Sequence, residues 1–426
     1  MSKLLTTATR NWPAKRLRFL VRRQPTAEQR SRLLAAKQVS FLPMEAITEH
    51  GESDVSAIRE KEDVAVGYSL FFDGDVVVAK ITPCYENGKG ALVHGLLNGV
   101  GFGTTELHVL TPNEGVVGRF LYYVTASEPF RKQGEAGMTG AAGQKRVTDE
   151  FIKNFCVAFP PPAEQQAIVN FLDRETARLD SLVAEKKRVL ALLAEKRRAL
   201  ITRAVTRGLN PGAPLRGSGL PWLGQIPVHW RTERSKWLLK ERDERTDNDE
   251  GEMLTVSHLT GVTPRREKDV NMFEAETTEG YKVCRKGDLA INTLWAWMGA
   301  MGISPCDGIV SPAYNVYTPG PDLLGAYVDA LVRIPRFAQE VIRYSKGVWS
   351  SRLRLYPEGF FEVWLPVPPL GEQRAIVAHI TVETAKLDAL RSSAERTMAL
   401  LKERRAALIA AAVTGNLAVP RQPQQS

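Results

Sequence analysis

The 426-residue chain is poor in cysteine and histidine. Cys84, Cys156, Cys284 and Cys306 form no CxxC pair, and none has a histidine at metal-ligand spacing. That pattern excludes a zinc finger or a thioredoxin-like motif and reads as isolated reduced thiols, so no metal is expected. The six histidines are scattered. No apolar run approaches the ~20 residues that cross a bilayer. The N-terminal stretch has no apolar core long enough for a signal peptide. A cytoplasmic chain with no membrane partner is expected. There is no GxxxxGK[ST] loop, so no Walker ATPase is expected. Gly99-Val-Gly-Phe-Gly103 lacks the GxGxxG order, and no helix is expected after it. Glu86-Asn-Gly-Lys89 has the wrong spacing for a metal nuclease, and no Ser/His/Asp set can be assigned. The chain itself is therefore expected to hold no catalytic residue and no cofactor.

Charge is present but unevenly placed. The net charge is +9, from 57 basic and 48 acidic residues. Residues 1–160 carry 20 basic and 17 acidic side chains, and residues 211–368 carry 19 and 20. Residues 161–210 carry 10 and 6, and residues 369–426 carry 8 and 5. The excess sits mostly in those two shorter segments. A nucleic-acid partner is compatible with this balance, but the near-neutral stretches would need locally arranged groups to bind one.

Those two segments repeat each other. The 50 residues from Pro160 align without a gap on those from Pro368, and 26 positions are identical. Each reads as one helix about 40 residues long. Prolines stand at the start (Pro162; Pro368 and Pro369), and Gly208 or Asn416 follows the end. Neither proline nor glycine interrupts 164–206 or 372–414. Leu172, Leu179, Leu182, Val189, Leu193 and Leu200 mark an apolar stripe on the first helix, widened by Val183, Leu190 and Ile201. Ile380, Leu387, Leu390, Leu401 and Leu408, joined by Met398 and Ile409, mark one on the second. The two are expected to pair as an antiparallel coiled coil, with room for further partner helices outside.

The segments before the helices also correspond. Each opens with a tryptophan and a short basic strand, Trp12 and Trp230. Each has a Gly-Asp before a β-rich run, at Gly74-Asp75 and Gly287-Asp288, and a later strand ending in proline, at Pro112 and Pro319. An amphipathic helix is expected at about 116–133 and 322–345. A small, polar loop with a basic end follows, Gly140 to Val147 and Gly347 to Leu355. The expected fold class is α/β (α+β): two globular domains alternating with two long helices, as a pseudo-twofold tandem repeat. The boundaries are domain 1, 1–159; helix 1, 160–209; linker, 210–229; domain 2, 230–367; helix 2, 368–418; tail, 419–426.

Pro-Pro-x-x-Glu-Gln-x-Ala-Ile-Val occurs twice, each time opening a long helix after a mixed domain. With Gly219-Leu-Pro-Trp-Leu-Gly-Gln-Ile-Pro-Val-His-Trp230, it resembles the specificity subunit of type I restriction–modification systems. The resemblance covers essentially the whole chain. It implies two target-recognition domains, each reading one half of a split site in double-stranded DNA, and a helix pair that sets the gap between the halves. It further implies two modification subunits that methylate adenine N6 with S-adenosylmethionine. Two motor–nuclease restriction subunits would use ATP and Mg. These cofactors are expected on the partners and not on this chain. Two alternatives stay open: a chain that methylates or cuts DNA itself, and a scaffold that reads no sequence. Ser311-Pro-Ala-Tyr314 argues against the first. It lacks the Asn or Asp and the second proline that would hold a target amine, and reads as a turn at a strand edge.

The expected DNA-contacting residues are Lys80, Lys89, Thr104, Thr105, Gln144, Lys145, Arg146, Trp295, Ser350, Ser351, Arg352 and Arg354. Alternation places Trp295 and Trp297 on one face of a strand or loop. Pro160, Pro161, Glu164 and Gln165, with Pro368, Pro369, Glu372 and Gln373, read either as helix capping or as a hinge that presents a face to the methyltransferase.

Overall fold

The computed structural model describes residues 12–22, 24–141, 143–247, 251–267, 278–347 and 353–419. Up to the first long helix the elements are β1 (Ala14–Arg16), β2 (Val21–Arg22), α1 (Ala27–Ala35), β3 (Gln38–Leu42), β4 (Ile58–Glu60), α2 (Lys61–Val64), β5 (Ser69–Phe72), β6 (Val76–Ala79), β7 (Gly90–Leu92), β8 (Val100–Gly103), β9 (Leu107–Pro112), α3 (Gly118–Ala126), α4 (Glu128–Ala136), α5 (Asp149–Asn154), β10 (Cys156–Ala158) and α6 (Pro162–Arg207). Then come β11 (Leu215–Gly217), β12 (Gln225–Pro227), β13 (Arg231–Arg234), α7 (Ser235–Leu238), β14 (Leu239–Glu241), β15 (Leu254–Ser257), β16 (Gly261–Pro264), β17 (Lys282–Cys284), β18 (Leu289–Asn292), β19 (Met301–Ile303), β20 (Gly308–Val310), β21 (Tyr314–Pro319), α8 (Gly325–Val332), α9 (Pro335–Tyr344), α10 (Pro357–Phe361), β22 (Trp364–Val367) and α11 (Leu370–Val413).

The chain divides into two compact units: Met1–Lys187 with Glu395–Ser426, and Arg188–Ala394. In the first, β2-β9-β6-β7 form an antiparallel sheet, and β4-β3-β8-β5 form a second sheet whose β3–β8 pair is parallel. The Val76–Val77–Val78–Ala79 run is buried on both faces, as a β-branched strand between two layers should be. Phe120, Tyr123, Phe130 and Phe155 fill the core beside the first sheet. Ile168 and Leu172 at the start of α6, and Ile409 and Val413 at the end of α11, complete it. Each such side chain contributes roughly 1.5–3 kcal/mol on burial.

In the second unit β14-β21-β18-β19 form an antiparallel sheet, and β13 pairs with β22 as β1 pairs with β10 in the first. Its core holds Trp230, Leu289, Tyr317, Tyr327 and Phe337, joined by Ala204 and Val205 from the end of α6 and Ile376 from the start of α11. The two long helices thus pack together in both units. They run 46 and 44 residues, through sequences rich in Ala, Leu, Glu, Lys and Arg.

Three expectations need correction. Each helix expected at 116–133 and 322–345 is two, α3 with α4 and α8 with α9. Pro129 and Pro335 stand within the first turn of the second member, and Ser127 and Ile334 before that turn are extended. The left-handed residue after α11 is Gly415, not Asn416. The seam also uses only part of the apolar stripe expected for it: Leu172, Leu179 and Leu387 are buried. Leu182, Val189 and Leu390 are exposed, at 36%, 41% and 57%, whereas Val183, Lys186, Leu190, Leu193 and Arg197 are half-buried. Arg197 and Arg405 explain how cations are tolerated there: they pair with Asp388 at 2.7 Å and Asp180 at 3.0 Å.

All four cysteines are free. Burial pushes the Cys284 thiol up to about 12, while Cys156 is exposed. Timed alkylation with peptide mapping will therefore modify Cys156 first and Cys284 last. Early labelling of Cys284 would contradict this packing.

Candidate nucleic-acid interface

In the first unit three loops meet at one end of the β6 strand. The hairpin loop between β6 and β7 spans 80–89. The polar loop after α4 is closed by backbone bonds between Thr139 and Arg146, at 2.8 and 3.0 Å. Thr82 joins the two loops. Its N–H donates to the Lys145 carbonyl (3.0 Å), and its hydroxyl donates to the Gly143 carbonyl (2.6 Å). Lys145 N–H donates back to Thr82 Oγ1 (3.1 Å). The third loop is the Thr104–Glu106 turn, whose Glu106 carbonyl accepts from Lys80 N–H (2.9 Å).

Lys80, Thr104, Thr105, Gln144, Lys145 and Arg146 are thereby brought together. Thr105, Gln144 and Lys145 are exposed, and Lys80 is half-buried. Arg146 forks onto the Glu106 carboxylate at 2.9–3.2 Å, so its guanidinium clasps the loop. Lys89 spends its ammonium on the Met44 carbonyl, 2.9 Å away. Thr104 Oγ1 accepts from Glu106 N–H at 3.2 Å.

The hydrogen bond from Arg146 holds the Glu106 carboxyl below its ordinary value. A depressed carboxyl contributes stability that is complete above the unfolded-state value and is lost as pH falls through the folded-state value. Glu106→Gln will therefore flatten the acid limb of a melting-temperature-against-pH curve. Superimposable acid limbs would contradict the clasp.

The second unit places the corresponding loops together. Leu355 N–H donates to the Thr293 carbonyl (3.1 Å), and Lys346 and Arg354 exchange backbone bonds at 2.9 Å. Arg354 is exposed, and its side chain has no hydrogen-bond or ion-pair partner among the described residues. Ser350, Ser351 and Arg352 lie outside the described residues. Trp295 and Trp297 do not alternate along a strand: Ala296–Met298 is one turn of 3-10 helix, closed by Gly299 at φ +87°. Their rings nevertheless stack, with centroids 6.2 Å apart. Trp295 is 49% exposed, and Trp297, half-buried beneath it, donates Nε1–H to the Leu294 carbonyl (3.0 Å). Ser311 to Tyr314 is a turn, closed by a 2.9 Å bond.

Sequence reading missed a cleft of 640 Å³ in the first unit. Arg18, Arg22, Lys80 and Lys153 line it, with His108 and Asp149. Only Lys80 had been singled out. The other cations come from positions up to 135 residues apart, and no local pattern joins them.

The proline-rich turns before the long helices have matching geometry. The Trp12 indole N–H donates to Glu164 at 3.0 Å, and that of Trp230 donates to Glu372 at 2.9 Å. Gln165 Oε1 accepts from Val117 N–H (2.8 Å), and its Nε2 donates to the Gly115 and Pro160 carbonyls (3.1 and 2.8 Å). Gln373 Oε1 accepts from Leu324 N–H (2.8 Å), and its Nε2 donates to the Asp322 and Pro368 carbonyls (2.8 and 2.9 Å). Both glutamines are fully buried, which leaves their side chains no surface to offer an outside partner. Pro161 and Pro369 carbonyls accept the first backbone bonds of each helix.

Residues 71–191, from β5 into α6, match the family described as type I restriction modification DNA specificity domain. Over those residues the chain is similar to a type I DNA specificity domain. That stretch holds the three meeting loops of the first unit and the Pro160–Gln165 turn. The type I restriction enzyme EcoAI specificity subunit of Escherichia coli is 45% identical over 135 residues, 31% of this chain and 23% of that protein. The EcoEI specificity subunit of Escherichia coli is 40% identical over 148 residues, 34% of this chain and 25% of that protein. The matched stretches span about a quarter of the length of these curated relatives. A chain solved in work on complex assembly and conformational transition of the type I R-M system has the same fold. Its TM-score is 0.72 at 20% identity, covering 95% of this chain and 98% of that one. The HsdS subunit from Thermoanaerobacter tengcongensis superposes with a TM-score of 0.55 at 19% identity, covering 95% and 97%. The resemblance to type I specificity subunits drawn from the sequence therefore holds, most firmly across the specificity domain.

Proposed function

We propose that the chain reads a bipartite site in double-stranded DNA and directs other subunits to it. Each globular domain would read one half-site. The loops at the ends of β6 and β18 would carry the contacts, with Lys80, Thr105, Gln144 and Lys145 in the first domain and Trp295 and Arg354 in the second. The single observation that carries this reading is the recurrence of one loop arrangement in two domains of different surface chemistry: one scaffold, two targets. The long helices would act as an antiparallel coiled-coil spacer of a pseudo-twofold tandem repeat. A rigid spacer fixes half-site separation, as dimer geometry does in other DNA readers.

Two modification subunits and two restriction subunits would complete the assembly and supply S-adenosylmethionine, ATP and Mg. The chain itself would be non-catalytic. Exposed Leu182, Val189 and Leu192 on α6, and Val382, Leu390 and Leu400 on α11, support partner helices docking outside the seam. Among the described residues no group of three or more His, Cys, Asp or Glu could hold a metal ion. No described helix is long and apolar enough to cross a membrane.

Selection from a random duplex pool by the chain assembled with its methyltransferase tests the reading. The expected product is two fixed sequence blocks around a gap of fixed length. Recovery of unenriched sequence would favour a scaffold that reads no DNA, and S-adenosylmethionine binding by the chain alone would favour an enzyme.

A further inference from the structure

We infer that Gln165 and Gln373 are positioning residues that set how strictly the gap between half-sites is measured. The inference rests on the bipartite reading above. Each glutamine is the fourth residue of its long helix or its counterpart, one turn past the proline pair. Its amide makes three hydrogen bonds, all to backbone, from a fully buried position. Two of the three reach into the globular domain.

The partners explain the consequence. Val117 and Leu324 are the N-cap residues of α3 and α8, and neither helix receives a cap from its own N-cap side chain. The glutamine oxygen instead takes the N-cap N–H from outside, so one amide joins the long helix, the domain's helix and the intervening turn. The neighbouring glutamate adds a second anchor through the tryptophan indole, on the β1 or β13 side of the domain. Two anchors at different points fix an angle where one would leave a pivot. Exposed loops differ between the domains, yet these anchors match within a few tenths of an ångström.

Small angles matter at this lever length. Twenty helical residues span about 30 Å. A tilt of about 6° over that lever moves its end by about 3 Å, close to one base-pair step along a DNA strand. Loosening the anchor should therefore blur gap length while leaving each domain's base contacts intact.

The test uses the full chain assembled with its methyltransferase. Methylation is measured on duplexes that keep both half-sites and vary the gap by one base pair either way, and on duplexes with one changed base in a half-site. Gln165→Met with Gln373→Met keeps the side-chain volume and removes the hydrogen bonds. The expected result is at least a fivefold drop in preference for the native gap, with discrimination against the changed base kept within twofold. An unchanged gap preference, or an equal loss of both preferences, would overturn the proposal. Should the methionine variant yield no folded complex, Trp12→Phe with Trp230→Phe removes the indole donors and keeps an aromatic ring at each position. A drop of about twofold in gap preference is then expected, and none would overturn it. Wild-type complex that methylates no split site would instead sink the underlying bipartite reading, a result separable from either of these.

Discussion

Trp230→Ala will unfold the second unit at a temperature far below that of the parent chain. Trp230 is 1% exposed and packs in the core with Tyr327 and Phe337, where α6 and α11 both enter. Truncating a buried tryptophan costs about 3–5 kcal/mol through lost burial and the cavity it leaves. The indole hydrogen bond to Glu372 is the smaller part. A bond to a charged group is worth about 1.5–3 kcal/mol, and His229 Nε2, 2.8 Å from the same carboxylate, offsets some of its loss. Gly208 adds a packing constraint: it has φ +71°, and a Cβ there would lie 2.7 Å from Glu372 Oε1 and 3.2 Å from the Trp230 ring. Trp230→Phe should therefore cost well under half as much as Trp230→Ala. Calorimetry of both variants checks this order. Equal losses would mean that the hydrogen bond, not the ring, dominates.

Lys80→Ala with Lys145→Ala will weaken DNA binding by the assembled complex about thirtyfold near physiological salt. Each phosphate contact carries about 0.9 of slope in log K against log salt concentration, so two carry about 1.8. Arg146 is a poorer probe, because removing it also frees the Glu106 carboxylate among the proposed contacts. The double variant should lose affinity for all sequences alike and flatten the salt dependence. Gln144→Ala should leave the slope alone and relax base preference in the first half-site. A salt slope unchanged in the lysine variant would remove these two cations from the DNA surface.

The long helices were legible because 26 of 50 aligned residues repeat, and because proline and glycine bracket each helix. The seam was harder to read. Leu182 and Val189 are as hydrophobic as Val183 and Leu190, and only packing decides which set turns inward. Lys186 and Arg197 hide in the seam because their stems are apolar and, for Arg197, because Asp388 lies opposite. Within the candidate interface, residue types and loop positions were visible, but the commitments of their side chains were not. Arg146 meets Glu106 across 40 residues, and Lys89 meets Met44 across 45. The Trp12–Glu164 and Trp230–Glu372 bonds cross 152 and 142 residues. No window of local sequence carries such pairings. The repeat itself does hold one clue to them: a Glu-Gln pair at the same helical position twice, each preceded far upstream by a tryptophan.

The most direct measurement is the adenine methylation map of the native genome, with and without the gene for this chain. Methylation at one split motif, two fixed halves around a fixed gap, should vanish when the gene is removed and return when it is restored. An unchanged map in a strain whose methyltransferase is active would contradict the claim that this chain chooses the site.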